Sequence, residues 1–257
     1  MFNIAQPCDP LLKHMKCVIL AGGRGMRLND ETQFRPKPLI EIGGKPIIAH
    51  LIDHYRKFGF WEFYILGGYK FQDISDWTGK VYEEIFSLQN KGAPVPYLTL
   101  VPLDTGIDTQ TGGRIKQADR LDETFALTYA DGLADIDLKA LMAFHKSHGK
   151  LCTITAVHPP ARFGALDIGP DNIVRSFKEK PDSDTRYING GFFIVQREVQ
   201  DMIEGDGTSW ETDILPKLTE MGELVAYRHD GFFQCMDTAK DVDYLNALHA
   251  SGDAPWI

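Results

Sequence analysis

The chain has 257 residues, 43% hydrophobic and 25% charged, with 27 Lys and Arg against 36 Asp and Glu for a net charge of −9. A chain of this length buries roughly 70–75% of its extended surface and needs no disulfide or metal to fold, and its balance of apolar and charged residues excludes a disordered polymer. The negative excess argues against nucleic acid, which is held through clustered cations, and the sequence has no apolar run long enough to span a membrane.

Residues 1–14 lack the apolar core and small-residue cleavage site of a secretory signal and are expected to be a tail ahead of one domain over 15–257. The four cysteines, Cys8, Cys17, Cys152 and Cys235, show no CxxC spacing and read as reduced thiols, with the cytoplasm as the expected compartment. The first strand is 17–21, halted by a glycine loop. Pro46 opens a helix in which Ile47, Ile48, Leu51, Ile52, Tyr55 and Phe58 recur at three- and four-residue spacing until Gly59. Strands are expected at 63–66, 124–129 and 151–157, and Asp137 is placed to cap a helix running to about His148. Residues 94–111 read as an exposed loop. Residues 163–177 read as a hairpin turning at 169–172. Strands at 187–195, 224–228 and 232–236 and helices near 197–203, 210–221 and 240–250 follow. An α/β opening with a β-richer second half predicts a Rossmann-like, mostly parallel mixed sheet flanked by helices, with a smaller antiparallel β lobe.

The stretch Leu20-Ala21-Gly22-Gly23-Arg24-Gly25-Met26-Arg27-Leu28 follows the first strand directly. Its glycines let the backbone approach a ligand, successive amides can cradle an anion, and Arg24 and Arg27 add cations. No GK[ST] follows as in a Walker loop, and Leu28 stands where a GxGxxG would end, so the loop alone is equally an ordinary strand-to-helix turn. Arg35-Pro36-Lys37-Pro38 then fixes two cations on a stiff segment, which favours phosphate. Asp131 and Asp237 each end an apolar strand, where open α/β sheets bind ligands, and magnesium needs only one or two carboxylates beside phosphate and water. Taken singly, each reads better as an ordinary strand-end residue. Asp135-Ile136-Asp137 is a DxD, but at a helix start it reads as a cap. His50 and His54 are i, i+4, with Leu51 where HExxH has its Glu, and read as packed side chains.

Together, LAGGRGMRL and RPKPLIEIGGKPII resemble the motifs of the sugar-phosphate nucleotidyltransferases, and TGGRIK, TYADG, RFGALDI, EKP, INGGFF, SWE and GFFQCMDT extend the likeness over essentially 15–257. Within that family the chain looks most like the glucose-1-phosphate cytidylyltransferases. The resemblance implies a Mg²⁺-dependent enzyme of polysaccharide biosynthesis that joins CTP to glucose 1-phosphate by in-line displacement. It implies nucleotide contacts from Leu20, Ala21, Gly22, Gly23, Arg24, Gly25, Met26, Arg27, Lys37 and Asp131, and base reading by Gly112, Gly113 and Arg114. Arg24, Lys37, Asp131 and Asp237 would be catalytic, with Asp131 and Asp237 on the metal. Gly164, Glu179, Lys180, Asn189 and Trp210 would hold the sugar phosphate, with Trp210 and Glu211 walling or hydrogen-bonding the sugar. Three positions depart from the family pattern: Met26 stands for Thr, Arg35 for Lys and Cys235 for Pro. Alternatives are another nucleotide (UTP or dTTP), another phosphorylated acceptor, a catalytically silent nucleotide-sensing subunit, or a DxD glycosyltransferase. The family also implies a homo-oligomer, a hexamer in the cytidylyl branch.

Overall fold

The structure, a computed structural model, describes residues 15–25, 28, 34–95, 97–159, 165–168, 174–178 and 187–257. In chain order the strands are β1 (Cys17–Leu20), β2 (Glu41–Ile42), β3 (Lys45–Pro46), β4 (Glu62–Gly67), β5 (Thr99–Asp104), β6 (Thr124–Tyr129), β7 (Gly132–Ala134), β8 (Cys152–Val157), β9 (Ala165–Ile168), β10 (Val174–Lys178), β11 (Ile188–Gln196), β12 (Leu224–His229) and β13 (Phe233–Cys235). The helices are α1 (Ile47–Lys57), α2 (Phe71–Asn90), α3 (Thr111–Gln117), α4 (Leu138–His148), α5 (Glu198–Asp201), α6 (Leu215–Glu220) and α7 (Ala239–Ser251).

One sheet runs in the order β12-β8-β11-β6-β1-β4-β5, all strands parallel except β11, which is antiparallel to both neighbours. Antiparallel ladders β2–β3, β7–β13 and β9–β10 accompany it. This is the expected architecture: a mostly parallel sheet with small antiparallel additions. The hairpin expected at 163–177 is the β9–β10 pair, and its turn at 169–172 lies outside the described residues.

The strands are apolar on both faces because both are covered. Cys17 and Ile19 of β1 enter one core with Phe63, Ile65, Phe192 and Ile194, while Val18 and Leu20 enter the other with Tyr64, Leu66, Phe193 and Val195. This is the period of two of an extended chain. Helices α1, α2, α4 and α7 pack on the first core, and α3, α5 and α6 on the second. Each such aliphatic or aromatic side chain removed from water contributes about 1.5–3 kcal/mol.

The reading of 94–111 as an exposed loop is corrected: 99–104 is β5, parallel to β4 at the sheet edge, with Leu100 buried. Pro102 disguises it. A proline removes a ladder donor and argues against a strand, and the sheet accepts it here because β5 has β4 on one side only. Helix α2 was likewise not expected; it starts after Lys70 in the left-handed region at φ 51 without a side-chain cap, so no start signal marks it.

Candidate active site

Strands β1 and β6 end together, Leu20 opposite Tyr129, so the glycine loop and Asp131 leave the sheet side by side at the carboxyl end of its parallel strands. Between them and the start of β11 opens a cavity of about 880 Å³, within the range of small-molecule sites. Leu20, Ala21, Gly22, Gly23, Arg24, Gly25, Lys37, Arg114, Asp131, Asn189 and Asp237 all line it.

The acids meet through local pairing. Strand β13 lies antiparallel to β7 with Cys235 opposite Gly132, and the Met236 N–H donates to the Asp131 carbonyl at 2.8 Å, which delivers Asp237 beside Asp131. The Asp241 carboxylate accepts from the Asp237 and Thr238 N–H groups at 3.0 and 2.7 Å, part of the capping box that opens α7. Lys37, in a short 3₁₀ turn between Pro36 and Pro38, reaches both acids: its Nζ donates to Asp131 Oδ2 at 2.6 Å and to Asp237 Oδ1 at 2.8 Å. Burial pulls the Lys37 ammonium down, but the two carboxylates outweigh it and hold its pKa above the ordinary lysine value. Two carboxylates already closing on one cationic nitrogen have their oxygens aimed at a single point. That donor set fits a hard divalent cation whose remaining ligands are phosphate and water.

Next to this centre, Gly25 takes φ 62 and its carbonyl accepts from the Leu28 N–H at 3.0 Å. Arg24 crosses to Asp108 at 3.1 Å, both side chains well exposed. Arg35 pairs instead with Glu41 at 2.9 Å.

Arg114 lines the cavity and is also anchored within the fold. Its buried guanidinium donates through Nη1 to the Gly67 and Gly106 carbonyls, both at 2.8 Å, and to Thr105 Oγ1 at 2.5 Å, and through Nη2 to the Gly22 carbonyl at 3.3 Å. It ties the glycine loop to the ends of β4 and β5. Gly112 and Gly113 sit in α3 and are not part of the cavity lining; a Cβ there would come within 2.7 Å of the Thr208 carbonyl oxygen and 2.6 Å of Asp206 Cα. They are small so that α3 can touch the 206–208 backbone.

On the opposite wall, Asn189 and Tyr129 face the cavity. Trp210, expected against the sugar, is fully buried in the second core, edge-on to Phe193 at 5.6 Å between ring centres. Met26, Arg27, Gly164, Glu179 and Lys180 lie outside the described residues. The sequence reading missed Tyr129 and Thr111 in the lining. Tyr129 was accessible from period alone, two residues before Asp131 at the end of β6. Asp137 caps α4, accepting from the Lys139 and Ala140 N–H groups at 2.8 and 3.0 Å, and Asp135 pairs with His229 at 2.8 Å, so the DxD stands apart from the cavity. His50 and His54 are buried and bond the Ile42 and Ile136 carbonyls.

A family model described as nucleotidyl transferase matches residues 16–251. The glucose-1-phosphate cytidylyltransferase of Salmonella typhimurium is 47% identical over 256 residues, covering 94% of this chain and 98% of that protein. The crystal structure of HddC from Yersinia pseudotuberculosis superposes with a TM-score of 0.66 at 27% identity, covering 91% of this chain and 99% of the other. That of apo UDP-glucose pyrophosphorylase gives a TM-score of 0.69 over 93% and 98% at 16% identity, a likeness of fold alone. With a family model spanning nearly all of it and a relative this similar along almost its full length, the chain belongs to the nucleotidyl transferase family.

Proposed function

We propose that this chain transfers the cytidylyl group of CTP to α-D-glucose 1-phosphate, releasing pyrophosphate and forming CDP-glucose. The observation that carries the reading is the Lys37 ammonium held by Asp131 and Asp237 on the wall of the cavity, beside a glycine loop. The identity to a glucose-1-phosphate cytidylyltransferase supports the choice of substrates.

A phosphate oxygen of the sugar phosphate attacks the α-phosphorus of CTP. The bond from that phosphorus to the oxygen bridging to the β-phosphate breaks, and pyrophosphate leaves with the electron pair. Positioning and charge stabilisation suffice for such a transfer, so no protein nucleophile is required. Arg24 and the loop amides hold the outer phosphates, and Lys37 neutralises charge at the α-phosphate. Asn189 receives the sugar phosphate on the facing wall. Asp131 and Asp237 would hold Mg²⁺, which when bound supplies charge neutralisation to the triphosphate.

Pyrophosphate release measured for four nucleoside triphosphates against a panel of sugar 1-phosphates, with and without Mg²⁺, tests the reading. CTP with glucose 1-phosphate should exceed the other pairs, and only with metal; a flat matrix would contradict it. The described residues include no helix long and apolar enough to cross a membrane. A cytoplasmic hexamer is part of the same proposal, and sedimentation of the purified chain checks the oligomer.

A further inference from the structure

Glu211 lies outside the cavity lining, yet three hydroxyls from separate segments converge on its carboxylate. Tyr129 donates to Oε1 at 2.6 Å, and Thr111 and Ser209 donate to Oε2 at 2.5 and 3.1 Å. Tyr129 and Asn189 form the wall in front of it, and Asn189 Nδ2 donates to the Tyr129 hydroxyl oxygen at 3.4 Å. The amide of Asn189 can face only one way. Its Oδ1 accepts from the Gly191 N–H at 2.8 Å, a group that can only donate, so its NH₂ must point to Tyr129 and the cavity.

The chain of bonds therefore has a direction. An ionised carboxylate only accepts, so the single Tyr129 proton is committed to Glu211, and toward Asn189 the tyrosine oxygen can only accept. Remove the carboxylate and that proton is released to turn toward the wall. The ring itself has little freedom: Gly191, at φ 76, passes so close that a Cβ there would stand 2.5 Å from Tyr129 Cδ2. Only the hydroxyl direction is left to set, and Glu211 sets it.

We infer that Glu211 is a positioning residue which, through Tyr129, fixes the Asn189 wall as a hydrogen-bond donor toward the oxygens of the sugar phosphate. This role rests on the proposed function and deepens it at the acceptor side. It differs from direct contact between Glu211 and the sugar.

Steady-state kinetics with each substrate varied in turn tests it on Glu211→Ala, Glu211→Gln, Tyr129→Phe and the Glu211→Ala/Tyr129→Phe double variant. Glu211→Ala should raise KM for glucose 1-phosphate about five-fold or more, the scale of one hydrogen bond, with a much smaller change in KM for CTP. Glu211→Gln should recover most of that loss, because its amide oxygen can still accept from Tyr129. Tyr129→Phe should show the same selective rise, and adding Glu211→Ala to it should cost little more. Equal rises for both substrates, or a Gln variant as impaired as Ala, would overturn the role in favour of a general structural one. If Glu211→Ala fails to fold, Tyr129→Phe with unchanged KM for glucose 1-phosphate overturns it. A wild-type chain that turns over no sugar phosphate overturns the functional reading itself, whereas an active wild type with an unsplit variant series overturns only this inference.

Discussion

On the cavity wall one lysine sits between two acids. Replacing Lys37 removes the ammonium that bridges Asp131 and Asp237, and replacing either acid removes one of the two carboxylates that hold it. Lys37→Ala and Asp237→Asn should each lower kcat about 10²–10³-fold, the usual cost of one preorganised charge contact, while the circular-dichroism spectrum stays native. Activity near wild type in either would remove that residue from the mechanism. The same geometry makes a prediction about metal. The ammonium competes for the carboxylate oxygens that would take the cation, so Lys37→Met should bind free Mn²⁺, followed by electron paramagnetic resonance, about ten-fold or more tighter than wild type, because the positive charge that occupies those oxygens is gone. Equal or weaker binding would show that Lys37 and the metal do not share ligands. Gly22 shows a different constraint. A Cβ there would lie 2.2 Å from Arg114 Cζ, so Gly22→Ala must displace the guanidinium that ties the loop down. Such overpacking costs about 1–3 kcal/mol, measurable by chemical denaturation, and nucleotide affinity should fall with it; an unchanged stability would mean that Arg114 moves aside freely.

At the scale of elements, what was legible followed from whether a segment carries its own signal. Strand β6 and helix α4 announce themselves through buried apolar runs and, for α4, through Asp137 at its start. Helix α2 and strand β5 do not, because one lacks a cap and the other contains Pro102. The glycine loop, Lys37 and each acid sit in short motifs that single them out one by one, and folding brings them to one cavity. The duty of Arg114 could not be read from its motif, because it depends on carbonyls from β4 and the 105–106 turn that only folding brings to it. The same holds for Trp210 and Glu211, neighbours in sequence of which one goes to the core and the other to Tyr129. Buried histidines of α1 and α4 also carry a pH dependence. The Trp256 Nε1–H donates to His50 Nδ1 at 3.3 Å while His50 Nε2 faces the Ile42 carbonyl at 2.8 Å, which fixes a neutral ring with its proton on Nε2. Burial lowers the pKa of His50, His54 and His145 to about 4 from an ordinary 6.5. The unfolded chain therefore binds more protons between pH 6.5 and 4, and stability is lost as pH falls through that window. Urea denaturation from pH 7.5 down to 4.5 should show a declining midpoint; a flat profile would mean that these rings are protonated without cost.

The C-terminal segment, as well as the sheet, holds the molecule together. Trp256, next to the last residue, is buried, and its carbonyl accepts from Lys57 Nζ at 3.0 Å at the far end of α1. Its indole also bonds His50, so the chain end closes over the helix that follows the β2–β3 ladder. Trp256→Ala should destabilise by about 3–5 kcal/mol, the usual cost of deleting a large buried aromatic, as read from the denaturation midpoint; a cost near zero would show that the closure is superficial. The cavity depends on the same global order: β1 and β6 set the glycine loop beside Asp131, and the β7–β13 ladder returns Asp237 to the same place from the distant end of the sequence. The most direct test of that convergence as a reactive centre is ³¹P NMR of CTP and glucose 1-phosphate incubated with Mg²⁺ and either the wild-type chain or folded Lys37→Ala. Wild type should convert the two substrates into pyrophosphate and the paired diphosphate signals of CDP-glucose, and Lys37→Ala should leave both substrates standing. A silent wild type, or a Lys37→Ala variant that makes product at a comparable rate, would contradict the account.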